Sequence, residues 1–420
     1  MHILSGDYFM RRITGFLVAI LILSTLGMGC TESTEESATE SADITIGALL
    51  PVTGDIGSIG VASQTALEIS SKDINNYFSG LGSDKHVEVI IRDTEDNPAK
   101  ALEQLKALDE MGIKIVIGPQ SSNNAKAVLD YAENNGIVLL STASTAPSLA
   151  VADDNLFRLV PDDSNQGMVL ATMMKEEKVD TVIPIYRNDT WGNGLSEETA
   201  KHFDGTVMEG IIYDSATEDF SAEVEALNEK VISATSDSDE DSVAVLLCSY
   251  EEVTEIFSLA GEYPALSNVK WYGSDGIALN EKLVEEEVAG FAVKTNLRAP
   301  IYGYEEENDR YHVVESRIEE ELGRAPETYA LAAYDALWLA TFVDLDAVPE
   351  NDESTKLAMN TLSDTYFGVT GWTKLDENGD RVHWDYDIWA ISENDGNYEW
   401  KRDARYQVDP GEEGKLMYVE

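Results

Sequence analysis

The chain has 420 residues and a formal net charge of −50, because 79 acidic side chains stand against 29 basic ones. Such a charge argues against binding to nucleic acid or to an anionic membrane surface, since both are themselves negatively charged. The length allows a large core and predicts about two domains.

A positively charged and then apolar segment at the amino end predicts a secretory signal. Two arginines precede an apolar stretch at 16–26, which is short for a membrane-spanning helix of about 20 residues. Small residues and then Cys30 follow, which resembles the lipobox of prokaryotic lipoproteins. This resemblance implies a signal peptide at 1–29 and a lipid on Cys30, with an uncleaved anchor as the alternative. Met10 is a second candidate for the start.

Residues 30–43 predict an acidic tether. After Cys30 the segment contains five acids, no bases and no large apolar side chain. Such a composition cannot bury enough apolar surface to fold, so we expect a solvated linker ahead of the first strand.

Apolar runs of strand length alternate with helical patterns from residue 44 onward. Helices are predicted at 61–78 and from Pro98, where proline suits a first turn. This alternation is typical of parallel sheets with crossover helices, and about ten strands suggest two sheets. Near the carboxyl end, 370–380 predicts a strand with a turn, and the alternating polarity of 383–391 predicts a half-exposed strand. The other predicted strands are 44–50, 87–91, 113–117, 137–140, 179–186, 206–213, 243–248 and 269–272.

Two loops rich in hydroxyl groups follow neighbouring predicted strands. They are 118–122 and 141–147, which come after the apolar runs at 113–117 and 137–140. With a helix predicted at 123–134 between them, both loops should lie at the carboxyl edge of one sheet, where open α/β folds bind ligands. Hydroxyls and N–H groups at helix starts suit a small anion such as a carboxylate. The alternative is that these residues only cap helices.

A series of motifs along the chain resembles one protein family. Each motif is weakly specific alone, but their order and spacing resemble the substrate-binding lipoproteins of branched-chain amino-acid-type ABC importers. The resemblance covers residues 44–400. The matching segments are, in chain order, 46–54, 93–102, 117–122, 141–147, 157–158, 191–195, 219–221, 273–276 and 370–380.

The resemblance implies an α/β fold of the type I periplasmic binding class. It would have two doubly wound (Rossmann-like) domains joined by three crossings, with the ligand in the cleft between them. By analogy, the first domain spans 44–161 and 298–380, and the second spans 162–297 and 381–420.

The resemblance also implies how the cleft would hold an amino acid. Ser122 and Thr145 would bind its carboxylate through hydroxyl and backbone N–H groups, and the Ala143 carbonyl would face its ammonium. Asp275 would neutralise the ammonium, because a buried charge without a partner carries a penalty of several kcal/mol. The alternative for Asp275 is a turn aspartate bonded to its own backbone.

Three aromatic residues are candidates for the rest of the pocket. Trp191 stands where the family commonly has tyrosine and would close over the ligand, unless it only covers a helix start. Tyr250 directly follows the predicted strand at 243–248 and matches a tyrosine that reaches the ligand. Tyr329 matches another cleft tyrosine, although its helical pattern also suits core packing. The loop at 55–60 lacks the aromatic residue common in amino-acid-binding members, which leaves the preferred ligand side chain open.

No sequence motif indicates catalysis. The five histidines are scattered without metal-ligand spacing, and the sequence has no phosphate-binding loop, dinucleotide fingerprint or nucleophile elbow. Cys248 ends an apolar run and is predicted to be a buried strand residue rather than a nucleophile or a disulfide partner. We therefore expect no enzyme, no cofactor and no metal. A signalling ectodomain would need an output domain and a structural protein would favour repeats, and neither pattern is found.

Together these features predict a lipid-anchored protein on the outer side of the cytoplasmic membrane. It would capture a small ligand, most simply an amino acid, between two hinged domains and deliver it to an ABC permease. The lipid on Cys30 would keep it at the surface. The alternative is a ligand-binding sensor for an amide or another small carboxylate.

The charge of −50 predicts that salt stabilises the protein. The acids are spread along the chain, so their mutual repulsion opposes the compact state until added salt screens it. We expect the midpoint of thermal unfolding to rise between low and high potassium chloride, as suits a protein from a salty habitat. Equal midpoints in the two solutions would contradict this expectation.

Overall fold

The computed structural model of the chain describes residues 43–236, 238–304, 308–347, 352–408 and 414–419. The predicted signal peptide at 1–29, Cys30 and the tether up to residue 42 lie outside the described residues. Across the described ranges, no helix combines the length and the apolar composition needed to cross a membrane.

Five parallel strands form the first sheet. They are β1 (Ile44–Leu50), β2 (Val87–Asp93), β3 (Ile115–Ile117), β4 (Val138–Ser141) and β5 (Leu156–Arg158). Their order in the sheet is β2-β1-β3-β4-β5. Every residue of β3 and β4 is buried, as expected for parallel strands that helices cover on both faces.

The second sheet is mixed. The remaining strands are β6 (Thr181–Arg187), β7 (Thr206–Val207), β8 (Ile211–Tyr213), β9 (Val243–Cys248), β10 (Lys270–Gly273), β11 (Arg298–Gly303), β12 (Phe367–Gly368), β13 (Gly371–Trp372), β14 (Asp385–Asn394), β15 (Asn397–Gln407) and β16 (Lys415–Tyr418). The second sheet has the order β16-β15-β14-β11-β10-β9-β6-β7, with β8 also paired to β6, while β12 and β13 form a separate ribbon. Cys248 in β9 is buried and free, as predicted.

Helices surround the two sheets and define two lobes. The helices are α1 (Gly57–Gly80), α2 (Pro98–Glu110), α3 (Ser122–Asn134), α4 (Asp163–Glu176), α5 (Thr190–His202), α6 (Ser221–Thr235), α7 (Val253–Ala260), α8 (Glu286–Lys294), α9 (Asp309–Leu322), α10 (Thr328–Asp346) and α11 (Asp352–Ser363). Helices α9 and α10 pack on α1, and α11 packs on α10. We call the first sheet with α1–α3 and α9–α11 the first lobe, and the second sheet with α4–α8 the second lobe.

The predicted α/β fold with two sheets is confirmed, and one local prediction needs correction. The single strand expected at 206–213 is two short strands, and the break falls at 208–210. A Cβ atom on Gly210 would lie 2.7 Å from the Tyr186 ring, so a larger residue would not fit there without a shift. In the segment 370–380 the predicted strand and turn are both present, and the strand is β13. A turn follows, in which Asp376 Oδ1 accepts backbone N–H groups of residues 378 and 380.

The division of the chain into two domains stays a prediction. The boundary expected at residue 298 would place β11 in the first domain, whereas the strand pairs with β10 and β14 of the second sheet. A division that follows the sheets therefore crosses after Gly303. The apolar sequence of β11 suits either sheet, because its pairing partners are distant in the chain.

A buried ion pair ties the end of β5 to the segment after β13. Arg158 is fully buried and donates from Nε and Nη2 to the two carboxylate oxygens of Asp380, each at 2.5 Å. Its Nη1 donates to the carbonyls of Ser144 (3.4 Å) and Ala146 (2.9 Å). The pair therefore also fixes the hydroxyl-rich loop at 141–147.

Replacing Asp380 by alanine should strongly destabilise the protein. Arg158 would remain buried without its carboxylate, which typically lowers the free energy of unfolding by about 3–5 kcal/mol. Denaturant titration of the wild type and the Asp380→Ala variant measures the difference.

The matched control is Asp204→Ala. Asp204 also pairs with a cation, Lys175, but both side chains are exposed, so its loss should leave stability almost unchanged. Equal effects of the two substitutions would contradict a structural role for the buried pair.

Candidate ligand-binding site

The two hydroxyl-rich loops meet at the edge of the first sheet. β3 and β4 are parallel neighbours, so the loops that follow them emerge side by side. Ser122 Oγ accepts the N–H groups of Thr145 (3.2 Å) and Ala146 (3.1 Å). A hydroxyl oxygen accepts two hydrogen bonds, so Ser122 keeps its O–H as a donor for a ligand. The helix cap is Ser121, whose Oγ accepts from the N–H of Asn124 at 3.5 Å.

Thr145 extends from the second of these loops to the second lobe. Its Oγ1 donates to Oδ2 of Asp163 at 2.9 Å, and its carbonyl accepts the N–H of Asp163 at 2.8 Å. Both donors of Thr145 are therefore engaged, by Asp163 and by Ser122, so neither points to a ligand carboxylate in this arrangement. The hydroxyl oxygen of Thr145 retains the capacity to accept.

Gln166 connects two residues whose carboxyl groups are buried. Its Nε2 donates to Oδ1 of Asp163 at 2.9 Å, and its Oε1 accepts the backbone N–H of Asp275 at 3.0 Å. Burial raises the pKa of Asp163 well above its usual range, and the charge of Asp275 raises it further. Burial also raises the pKa of Asp275, against hydrogen bonds from Tyr329 and Gln166 that favour its charged form. The fold thus holds two like charges together away from water.

The carboxylate of Asp275, in the second lobe, contacts the first lobe. Its Oδ2 accepts the hydroxyl of Tyr329, which α10 of the first lobe supplies. Its Oδ1 is buried and has no hydrogen-bond partner among the described residues. In those same ranges, no group of three or more His, Cys, Asp or Glu side chains is arranged to hold a metal ion.

An aromatic stack lies next to Asp275. The rings of Trp191 and Tyr250 are parallel within 15°, with their centroids 4.4 Å apart. The guanidinium of Arg187 lies over the Tyr250 ring, 4.7 Å from its centroid. A Cβ atom on Gly276 would lie 2.9 Å from Trp191 and 2.7 Å from Tyr250. The glycine after Asp275 is therefore what lets both rings approach the turn.

Arg187, at the end of β6, forms ion pairs with three carboxylates. Its Nε lies 3.1 Å from Asp189, its Nη1 lies 2.8 Å from Glu252, and its Nη2 lies 2.9 Å from Asp55. Asp189 and Glu252 belong to the second lobe, whereas Asp55 precedes α1 in the first. The guanidinium therefore links the lobes.

Several hydrogen bonds and ion pairs cross between the lobes at this edge. The structure thus describes the lobes in contact around the carboxylate pair and the aromatic stack. The crossing pairs are Asp55 with Arg187, Asn123 with Thr190, Thr145 with Asp163, and Tyr329 with Asp275.

Most of the site residues predicted from sequence come together here. A continuous chain of hydrogen bonds runs from Ser122 through Thr145, Asp163, Gln166 and Asp275 to Tyr329, and the stack of Trp191 and Tyr250 adjoins it. Ala143 is half-buried in the same loop as Thr145, and its contact with a ligand stays a prediction.

Sequence reasoning missed Asp163, Gln166 and Arg187. Asp163 and Gln166 lie in an Asp-Asp-Ser-Asn-Gln segment that is typical of a helix start, and Asp162 is indeed the cap. The signal that could have identified Asp163 is the second acid, because a cap needs only one. Arg187 could have been identified as a basic residue that directly ends a buried strand.

Several known proteins are similar to this chain. An uncharacterised protein of Methanocaldococcus jannaschii is 30% identical over 401 residues, covering 90% of this chain and 94% of that protein. The Leu/Ile/Val-binding protein homolog 1 of Brucella abortus is 24% identical over 385 residues, covering 90% and 94%. The branched-chain amino acid transporter substrate binding protein LivJ of Streptococcus pneumoniae, solved in complex with isoleucine, has a TM-score of 0.68 at 19% identity, covering 90% and 100%. This last likeness shows the fold.

A family profile shows which protein family the chain belongs to. The profile described as "Receptor family ligand binding region" matches residues 62–394, which is most of the chain. The resemblance to branched-chain amino-acid-type substrate-binding proteins that the motifs predict is confirmed, and the chain belongs to the receptor ligand-binding-region family.

Proposed function

We propose that the protein is an extracytoplasmic solute-binding protein that holds an amino acid between its lobes. The observation that carries this proposal is the pair of buried carboxylates of Asp163 and Asp275, two residues that Gln166 connects through the carboxylate of the first and the backbone N–H of the second. One of their oxygens has no partner in the part of the chain that the structure describes. An α-ammonium group is the ligand group that suits such a pair.

A ligand ammonium would remove the electrostatic penalty of the pair. Burial disfavours the charged form of each carboxyl, and the proximity of Asp163 and Asp275 adds repulsion. One cation close to both would oppose these effects and could donate to the unpartnered Oδ1 of Asp275. Thr145 suits the same group, because its hydroxyl donates to Asp163 and can accept an N–H. We propose the Ala143 carbonyl as a further acceptor.

The carboxylate of the amino acid would lie at Ser122. The two acceptor positions of Ser122 Oγ are occupied by backbone N–H groups, so its O–H can only donate outward. Ser122 is also the first residue of α3, a helix of 13 residues. The unpaired N–H groups and the dipole at a helix start favour an anion there. The ammonium of the ligand would thus contact carboxylates, and its carboxylate would contact hydrogen-bond donors.

Ligand binding would be coupled to closure of the lobes. Ser122 and Thr145 belong to the first lobe, whereas Asp163 and Asp275 belong to the second, so the ligand completes a site only when both are near. A ligand that binds the closed arrangement better than an open one shifts the population toward it. Trp191 and Tyr250 would then cover the ligand from the second lobe.

We base the proposed transport role on the similarity of this chain to two named proteins. The Brucella abortus relative is named as a Leu/Ile/Val-binding protein homolog, and the Streptococcus pneumoniae structure is that of a transporter substrate binding protein. We propose the same partner for this chain, an ABC permease that receives the ligand from the closed form. A lipid on Cys30 would hold the protein at the outer side of the membrane. No step changes the ligand chemically.

A thermal-shift screen distinguishes this function from the alternative of a sensor for an amide or another small carboxylate. The twenty amino acids, small amides and carboxylates without an ammonium are the compounds to test. A ligand at about 100 times its dissociation constant adds roughly 2.7 kcal/mol of stability. Stabilisation only by compounds without an ammonium group would contradict the proposal.

The substitution Asp275→Asn should weaken binding of the amino acid found in the screen by about 2–5 kcal/mol, because the ammonium loses a buried charged partner. Isothermal calorimetry measures the change. The free protein should stay folded, since the substitution removes a buried charge and keeps the side-chain shape.

Asp130→Asn is the matched control, because Asp130 is an exposed aspartate of α3 in the first lobe. It should leave affinity unchanged. Unaltered affinity in the Asp275→Asn variant would remove Asp275 from the site.

Binding should release protons. In the ligand-free protein the raised pKa values of Asp163 and Asp275 mean that these carboxyls hold protons more tightly when folded than when unfolded. Their contribution to stability is therefore most favourable at low pH and decreases as the pH rises through the raised values. A bound ammonium lowers both pKa values, so protons leave and affinity falls as the solution is acidified.

Calorimetry in two buffers of different ionisation enthalpy measures the number of protons released, because the binding enthalpy then differs between the buffers in proportion to that number. We expect proton release in the wild type at pH values below the raised pKa values, and a smaller release in the Asp275→Asn variant. Proton uptake, or identical enthalpies in both buffers, would contradict the ammonium assignment.

A further inference from the structure

We infer that the ligand carries a second positive charge, so that the site takes a basic amino acid whose side chain ends in an ammonium or a guanidinium group. This inference rests on the proposed function. It is carried by a second group of carboxylates at the Arg187 end of the aromatic stack, together with a buried amide oxygen that has no hydrogen-bond partner among the described residues. The group consists of Asp55, Asp96, Asp189 and Glu252.

Acids outnumber cations at this end of the site. Arg187 is in direct contact with Asp55, Asp189 and Glu252, at 2.8 to 3.1 Å. Asp96 adds a fourth carboxylate, which interacts electrostatically with Arg187, Asp55 and Asp189. One guanidinium therefore serves four carboxylates. Burial raises the pKa of Asp96 to about 7, and the charges of Asp55 and Asp189 raise it further, against the opposing effects of Ser121 and Arg187.

The surroundings of Asp96 offer acceptors and few donors. Its Oδ1 accepts from Nδ2 of Asn124 at 3.4 Å, and the same Nδ2 donates to Thr94 at 3.3 Å. Asn124 is fully buried, and its Oδ1 has no hydrogen-bond partner among the described residues. A buried amide oxygen without a donor destabilises the folded protein, because its lost hydrogen bonds to water are not replaced. A group with several N–H donors would satisfy this oxygen and the Asp96 carboxylate together.

The Tyr250 ring is close to both carboxylate groups. The Arg187 guanidinium lies 4.7 Å from its centroid, and a Cβ atom on Gly276, the residue after Asp275, would lie 2.7 Å from the ring. Tyr250 therefore adjoins both the turn that holds Asp275 and the guanidinium that pairs with the acids. A ligand held at Asp275 and extended along Tyr250 would bring the end of its side chain to these acids.

Other side chains suit this end poorly. An aliphatic group would exclude water from Asp96 without replacing the lost hydrogen bonds, and it would leave Asn124 Oδ1 unsatisfied. An acidic side chain would meet four carboxylates. A terminal ammonium or guanidinium is attracted by their charge and donates two or more hydrogen bonds.

The test compares arginine with citrulline, which has nearly the same shape and no side-chain charge. Isothermal calorimetry with the full chain should give arginine a dissociation constant at least about tenfold lower than that of citrulline. In the Asp96→Asn variant this ratio should fall to within about threefold, because the charge partner is lost while shape is kept. Asp84→Asn is the control, since Asp84 is an exposed aspartate, and it should preserve the ratio.

A second measurement on the wild type keeps the inference testable if the Asp96→Asn variant does not fold. The arginine-to-citrulline ratio should fall as the pH is lowered from 8 to 6, across the pKa of Asp96 at about 7, because both ligands share the same α-ammonium and only arginine needs a charged Asp96. The charged and polar groups that face Asp96 are Asp55, Asp189, Arg187, Ser121 and Asn124.

The outcomes separate the two proposals. Binding of citrulline or leucine as tightly as arginine, or a ratio unaffected by Asp96→Asn, would overturn the basic side chain and leave the amino-acid function standing. Absence of binding by every amino acid would instead overturn the proposed function itself.

Discussion

The structure of the site depends on the placement of two carboxyl groups, Asp163 and Asp275, side by side and out of water. Through one amide, Gln166 bonds the carboxylate of Asp163 and the backbone N–H of Asp275, while Thr145 and Tyr329 donate to the two carboxylates from the first lobe. Hydrogen bonds to the charged forms reduce the penalty of burial, but they do not supply a countercharge. The ligand ammonium that we propose would supply that charge.

The two lobes contribute different parts of the site. The first lobe supplies hydroxyls and backbone N–H groups, because β3 and β4 end side by side and their loops interlock at Ser122. The second lobe supplies the carboxylates of Asp163 and Asp275, the guanidinium of Arg187 and the aromatic stack. The loop at 141–147 is held by Arg158, which pairs with Asp380. The charge of Arg158 lowers the pKa of Asp163, but burial and the charge of Asp275 outweigh it, so that pKa stays well above its usual range.

The fold and the loops could be predicted from local sequence, whereas the charge environment could not. Alternating apolar runs specify strands and helices, and Gly-Pro and Ser-Thr segments mark where strands end, so Ser122 and Thr145 were identifiable. Asp163 resembles a helix-start acid, and only the packing of α4 against the second sheet reveals that it is buried beside Asp275. The affiliation of β11 and the partners of Arg187 likewise depend on contacts between residues far apart in the chain. Such contacts leave no local pattern.

Closure without ligand is opposed by the same groups that make closure with ligand favourable. In the closure that we propose, bringing the lobes together would bury Asp163 and Asp275, whose pKa values are raised because burial favours the neutral form. The ion pair between Arg187 and Asp55 joins the two lobes, but Asp55 is half-exposed, and a pair of this kind contributes little once solvent screens it. In this proposal a bound cation would shift the population toward the closed form. A site that lacks one charge can therefore act as the element that couples ligand capture to lobe movement.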